Sequence, residues 1–214
     1  MSQGERRHHA LDLYARGVFP MAKSATGRSV YLVDPDFRGV FPLRALRLPR
    51  RLQRTVRQDR FEVRLNTDFL QVLERCADPN RAGAWINPAL RNMYLDLHAS
   101  GSAHSVEAWR DGRLAGGLFG VSLRGAFFGE SMFSLETDAS KVALAHLAAH
   151  LILGGFRLLD TQFITDHLAS LGAEEIPRAD YLERLEAALA VEGRIGSPAV
   201  LSGTEVLQVI SQAS

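Results

Sequence analysis

The chain has 214 residues, 46% of them hydrophobic and 23% charged, with a net charge of +1, which is the balance of a globular protein large enough to bury a core. No apolar run approaches the roughly 20 residues of a membrane span, and the start MSQGERRHHA lacks an apolar secretion core, so a cytoplasmic protein without membrane attachment is expected. The single cysteine, Cys76, excludes an internal disulfide framework or a cysteine metal cluster and reads as a small core hydrophobe.

In chain order, ERRHHALDLYARG reads as a helix ending at Gly17, and FPMAKSATGRS as a loop before VYLVDPD. Between Arg44 and Arg60 lie seven arginines (Arg44, Arg47, Arg50, Arg51, Arg54, Arg57, Arg60) against one acid, Asp59. Pro49 suits a first helical turn there, and Leu52 and Val56 form an apolar face opposite much of the arginine. The basic face is either a solvated helix surface or a phosphate-contacting patch. FEVRLN alternates as a strand, and TDFLQVLERCAD reads as a helix. In WINPALRNMYLDLHASG, Asn87 caps a helix, Pro88 sits in its first turn, Leu90, Met93, Tyr94 and Leu97 form one face, and Gly101 stops it.

From residue 104 to 130 the period becomes two. HSVEAW, LAGGLFGVSL and AFFGE are separated by Asp-Gly and Arg-Gly turns, which predicts a three-strand antiparallel meander. DASKVALAHLAAHLILGG then reads as an amphipathic helix with Asp138 as a candidate cap. FRLLDTQFI is a further strand, followed by DHLASLGA and a last helix in RADYLERLEAALA. From Gly193 onward small residues accumulate, so residues 193–214 are expected to be a loosely docked tail. The set is an α+β fold, and the order meander, helix, strand is that of GNAT acyltransferases, an analogy at fold level.

Candidate chemistry gathers on two strands. Asp160 and Gln162 are two apart in LLDTQ and so project to one strand face, with Leu159 and Thr161 on the other. Glu130 ends the third meander strand and can approach that pair in a compact sheet; three acceptor-rich groups suit a cationic or amine substrate. Leu118, Phe127, Leu144 and Leu147 either line an apolar pocket or simply pack the core. His146 and His150 have a metal-compatible spacing but no accompanying HExxH glutamate, and they read as packing or surface histidines. No serine sits in a GxSxG elbow, so covalent catalysis finds no support.

Several motifs together carry a family resemblance. GVFPM, WINPAL, HASGSAHSVEAWRDGRLAGGLFGV, FFGESMFS, DASKVAL, LLDTQ and HLASLGAEEIPR, in this order from about Leu13 to Leu189, resemble the bacterial leucyl/phenylalanyl-tRNA–protein transferases. The resemblance implies a small N-terminal domain (residues 1–36), a GNAT-like catalytic domain (37–192) containing the basic segment 44–60, and the tail. It implies transfer of leucine or phenylalanine, with methionine a further candidate, from aminoacyl-tRNA to the N-terminal α-amino group of proteins beginning with Arg or Lys, a degradation tag under the N-end rule. Carried to this numbering, it makes Asp160, Gln162 and Glu130 the catalytic group. Leu118, Phe127, Leu144, Leu147 and Leu159 become the aminoacyl pocket, Trp85 and Met21 the contacts to the tRNA 3′ end, and Arg50, Arg51 and Arg54 the backbone contacts. An activated aminoacyl ester needs positioning and a proton acceptor rather than a cofactor, so neither cofactor nor metal is expected.

This chain departs from many members by having Met21 where they have tryptophan after Phe-Pro, and by lacking a Trp-Trp pair near Leu32 and Val33. Two alternatives stand beside this reading. An acetyl-CoA-dependent N-acetyltransferase would need a glycine-rich turn opening the helix after the meander, where this chain has ESMFSLETDASK. A non-catalytic tRNA- or peptide-binding module would need no Asp160–Gln162 pair. Nothing in the sequence bears on oligomeric state, and a monomer is compatible with it.

Overall fold

The computed structural model describes residues 3–44, 46, 48–196 and 201–213. Arg47 of the basic segment and residues 197–200 of the tail lie outside the described residues. The fold is mixed α+β: a seven-stranded, mostly antiparallel sheet flanked by helices on both faces, with a separate two-stranded ribbon.

The chain opens with helix α1 (Gln3–Ala15), which stops at Gly17 in the left-handed region, φ 77°. The stretch read as a loop forms strand β1 (Phe19–Ala22), which pairs antiparallel with β2 (Val30–Val33). With four residues each, and a Pro inside one, these strands carry too little alternation to be recognised. β3 (Phe37–Phe41) follows, then the basic helix α2 (Arg50–Arg57), β4 (Glu62–Leu65) and α3 (Phe69–Ala77). Asp68 caps α3 by accepting from the Gln71 N–H at 3.0 Å. Helix α4 (Pro88–Ala99) has the expected cap, with Asn87 Oδ1 accepting from the Leu90 N–H at 3.0 Å.

The meander is β5 (Ala103–Arg110), β6 (Arg113–Leu123) and β7 (Ala126–Ser134). Helix α5 (Ala139–Leu153) returns the chain to β8 (Leu158–Gln162), which lies parallel to β7. Asp138 occupies the cap position of α5 but makes no side-chain cap bond; its φ is 69°, and its carboxylate pairs with Lys141 at 3.1 Å instead. A short turn of helix, α6 (Asp166–Ala169), precedes β9 (Glu174–Pro177) and α7 (Arg178–Leu189). The strand order is β4-β5-β6-β7-β8-β3-β9, so β3, early in the chain, sits between two late strands.

Two apolar clusters cover the two sheet faces. On one, Leu118, Phe127 and Leu159 pack with Leu144, Leu147 and Leu151 of α5 and Leu52 and Val56 of α2. On the other, Phe119, Val121 and Phe128 pack with Tyr14 of α1, Leu73 of α3, Tyr94 of α4 and Tyr181 of α7. Cys76 belongs to this second cluster, and burial pushes its thiol up to about 11. The stretch expected to be loosely docked contains helix α8 (Gly203–Ala213), whose Val206 and Ile210 are buried with α2 and α5. Gly203 fits there because a Cβ would come 1.8 Å from the Val56 carbonyl oxygen.

Candidate active site

The site lies where two parallel strands part. β7 and β8 pair over only three positions, Ala126–Phe128 with Leu158–Asp160. Beyond them Gly129–Met132 of β7 and Thr161–Gln162 of β8 line a cavity of about 260 Å³. Its apolar wall is Phe41, Leu118, Met132, Leu144, Leu147, Leu159 and Leu168.

Glu130 enters this gap through a bulge. Phe119 faces Ser131 and Gly120 faces Gly129, so Glu130 is the extra residue without an opposite partner. Gly120 is required there, because a Cβ would stand 2.3 Å from the Phe128 carbonyl oxygen. The carboxylate is buried, and each oxygen takes one phenol: Tyr14 Oη donates to Oε1 and Tyr94 Oη to Oε2, both at 2.7 Å. Burial raises the carboxyl to about 7, against the opposing effect of the two hydroxyls. The sequence reading counted Tyr94 only as part of a packing face and did not single out Tyr14, because nothing local shows that their hydroxyls converge on one atom group.

Asp160 is fully buried and does not line the cavity. Its carboxylate accepts from Arg38 Nε at 3.0 and 3.1 Å, from Arg38 Nη2 at 2.7 Å and from Tyr181 Oη at 2.8 Å. Arg38 Nη1 donates to the Gly17 carbonyl at 2.8 Å, and the guanidinium lies 4.5 Å from the ring centres of Phe19 and Tyr181. Arg38 was missed in the sequence, where one arginine in DFRGVF gives no hint of burial.

Asp160 also accepts the Gln162 backbone N–H at 2.7 Å. This bond helps hold Gln162 at φ 60°, where the Phe163 N–H closes a three-residue turn onto the Thr161 carbonyl at 2.7 Å. Opposite, Gly39 leaves room that a Cβ would deny, 2.7 Å from Thr161 Oγ1. The turn breaks the strand alternation: Leu159, Thr161 and Gln162 all line the cavity while Asp160 turns to the other face. Asp160 lines neither compartment, whereas Gln162, two residues on, lines both. Gln162 lines the cavity, and its Nε2 is buried without a hydrogen-bond partner.

A second compartment of about 190 Å³ adjoins the first and shares Glu130, Thr161, Gln162, Thr165 and Leu168 with it. Its other walls are Phe19, Met21, Trp85 and Phe163, so Trp85 and Met21 stand beside the same carboxylate and amide as the apolar pocket. Of the five expected pocket residues, Leu118, Leu144, Leu147 and Leu159 line the first cavity. Phe127 does not; it is fully buried and edge-on to Phe156 at 6.4 Å. Arg50, Arg51 and Arg54 are exposed on α2, away from the buried Leu52 and Val56.

Two other histidine arrangements carry no chemistry of this kind. Among the described residues no group of three or more His, Cys, Asp or Glu is placed to hold a metal; His146 and His150 are buried in α5, and burial lowers His146 to about 4. His104 bridges Asn66 at 3.1 Å and Ser122 at 3.0 Å, an outline of a nucleophilic triad. Because Asn66 Oδ1 accepts from the Ser105 N–H, its Nδ2 donates to His104 Nδ1. His104 Nε2 then carries the proton and donates to Ser122, so it cannot take the serine's proton.

Comparison with known proteins follows the same lines. A family model described as leucyl/phenylalanyl-tRNA protein transferase matches residues 40–186. A protein of Phenylobacterium zucineum (strain HLK1) named leucyl/phenylalanyl-tRNA–protein transferase is 55% identical over 212 residues, covering 95% of this chain and 96% of its own. One of the same name from Caulobacter vibrioides (strain NA1000 / CB15N) is 56% identical over 204 residues, covering 94% of each chain. Another from Afipia carboxidovorans is 52% identical over 205 residues, covering 94% of this chain and 90% of its own.

Proposed function

Because the chain belongs to the leucyl/phenylalanyl-tRNA–protein transferase family, an aminoacyltransferase family, we propose that it transfers leucine or phenylalanine from tRNA to the α-amino group of proteins beginning with Arg or Lys. The observation that carries this reading is the junction of the two compartments, where a buried carboxylate and a buried, unpartnered amide meet an apolar pocket on one side and an aromatic wall on the other.

The apolar compartment takes the leucyl or phenylalanyl side chain, with Met132 adapting its shape to either. Trp85 and Met21 contact the terminal adenosine, Trp85 by stacking. The acceptor's neutral amine attacks the ester carbonyl carbon. A C–N bond forms, and the C–O bond to the ribose oxygen breaks as that oxygen leaves as a hydroxyl. Glu130, raised to about 7 by burial, takes the amine proton near neutral pH and hands it to the departing ribose oxygen. Gln162 Nε2 donates to the carbonyl oxygen as negative charge develops on it. Asp160 is a positioning residue, since its oxygens are engaged by Arg38, Tyr181 and the Gln162 N–H.

The parting of parallel strands β7 and β8 beside α5 supports the GNAT-like reading of residues 37–192. The separate ribbon β1–β2 supports treating residues 1–36 as an N-terminal unit. No helix among the described residues is long and apolar enough to cross a membrane.

The test is transfer of radiolabelled leucine from leucyl-tRNA to a peptide beginning with Arg, beside one beginning with Ala and an acetyl-CoA control. Label on the Arg peptide alone is the expected result. Acetylation, or tRNA retention without transfer, would refute the reading.

A further inference from the structure

The two phenols on Glu130 come from helices that have no other part in the site. Tyr14 belongs to α1 and Tyr94 to α4, and both side chains are fully buried. Aromatic neighbours lock their rings: Tyr14 lies 4.8 Å from Phe128, and Tyr94 lies 5.0 Å from Phe119 and 6.4 Å from Trp85. If packing were their whole purpose, phenylalanine would serve as well. Each hydroxyl is instead aimed at a different oxygen of the same carboxylate.

We propose that Tyr14 and Tyr94 are positioning residues for acyl transfer, which clamp the Glu130 carboxylate from two sides and aim it at the junction of the two compartments. Helix α1, which precedes the family match at residues 40–186, thereby completes the site. The proposal rests on the role given to Glu130 above.

An ionised carboxylate only accepts hydrogen bonds, and a buried phenol beside it only donates. Burial, then the charge of Glu130, raises both tyrosines well above their ordinary value, so neither hydroxyl ionises in the working range. The other charged groups acting on Glu130 are Asp160 of β8, which raises it, and Arg38 of β3, which lowers it. That pair neutralises itself at 2.7 Å, leaving the two phenols as the largest influences against burial. Removing one hydroxyl leaves a buried carboxylate oxygen without its donor. Glu130 then holds its proton to higher pH, and less of the enzyme can accept the amine proton at neutrality.

The experiment compares Tyr14→Phe, Tyr94→Phe and the wild-type full chain, with kcat and KM measured from pH 5.5 to 9 on leucyl-tRNA and the Arg peptide. The expected result is an acid limb moved up by about one pH unit in each variant, with kcat at pH 7 down roughly fivefold and KM for leucyl-tRNA unchanged. A second measurement needs no turnover: the Glu130 carboxyl ¹³C resonance, assigned by its loss in Glu130→Gln, should titrate at higher pH in both variants. Acid limbs and carboxyl midpoints that coincide with wild type in both variants would overturn the clamp. A wild-type enzyme that transfers nothing at any pH would refute the functional reading instead, and the carboxyl titration would still decide the clamp.

Discussion

At the scale of single residues, Gln162 concentrates what this site asks of the chain. A non-glycine residue at φ 60° stores strain of about 1–3 kcal/mol, and its buried Nε2 gains no bond in return. Neither cost contributes to stability, so stability and activity should separate on substitution. Gln162→Ala is expected to lower kcat by about 10²-fold with little change in Tm. Gln162→Gly should lose the same activity yet melt higher than the alanine variant, because only glycine is at ease in that turn. Full activity in Gln162→Ala would remove the amide from the chemistry. Arg38 is the opposite case. Arg38→Met would leave Asp160 buried and unpaired, at a cost of about 3–5 kcal/mol, and the folded fraction under urea should report it.

At the scale of elements, α2 separates two duties by face. Leu52 and Val56 are buried while Arg50, Arg51 and Arg54 are exposed, with Arg51 3.7 Å from Asp138. Replacing all three arginines by Ala should leave Tm nearly unchanged. In the same variant, log Kd for tRNA against log salt should flatten by about two to three units of slope, as expected for three lost phosphate contacts. An unchanged slope would take α2 out of the tRNA interface. Helix α5 forms as expected, but it is not the amphipathic helix that the sequence suggested. The helix is buried on nearly every side, His146 and His150 included, because β5, β6, α2 and α8 all pack on it.

At the scale of the whole molecule, buried titratable groups pull stability in opposite directions with pH. His104 and His146 are lowered to about 4 by burial, so the stability of their neutral forms is present above about pH 6.5 and is lost as pH falls toward 4. Glu130 is raised to about 7, so its contribution runs the other way and is lost as pH rises from about 4.5 to 7. His150 and His167 are lowered as well, so the histidines outnumber Glu130 and stability is expected to fall between pH 7 and 5. Urea unfolding at the two pH values should show it. In Glu130→Gln the opposing contribution is gone, and the acid loss should be steeper. Stability that rises on acidification would contradict the assignment of these groups as buried.

Much of this was legible in the linear chain. Alternation and turn residues marked the meander, the Asn87 cap marked α4, and the ordered motifs from GVFPM to HLASLGAEEIPR carried the family, because each depends on neighbours within a few residues. Glu130 stood out as an acid in an apolar strand, and four of the five pocket residues line the cavity. What the tertiary structure alone decided involves contacts far apart in sequence. Arg38 reaches Asp160 across 122 positions and Tyr14 reaches Glu130 across 116. The turn at Gln162 is set by Asp160 and by the room left at Gly39. A two-residue spacing predicts a shared face only while the strand stays regular, and here a left-handed residue ends that regularity. Local pattern therefore specified the elements, and the partners that desolvation demands for each buried charge specified the site.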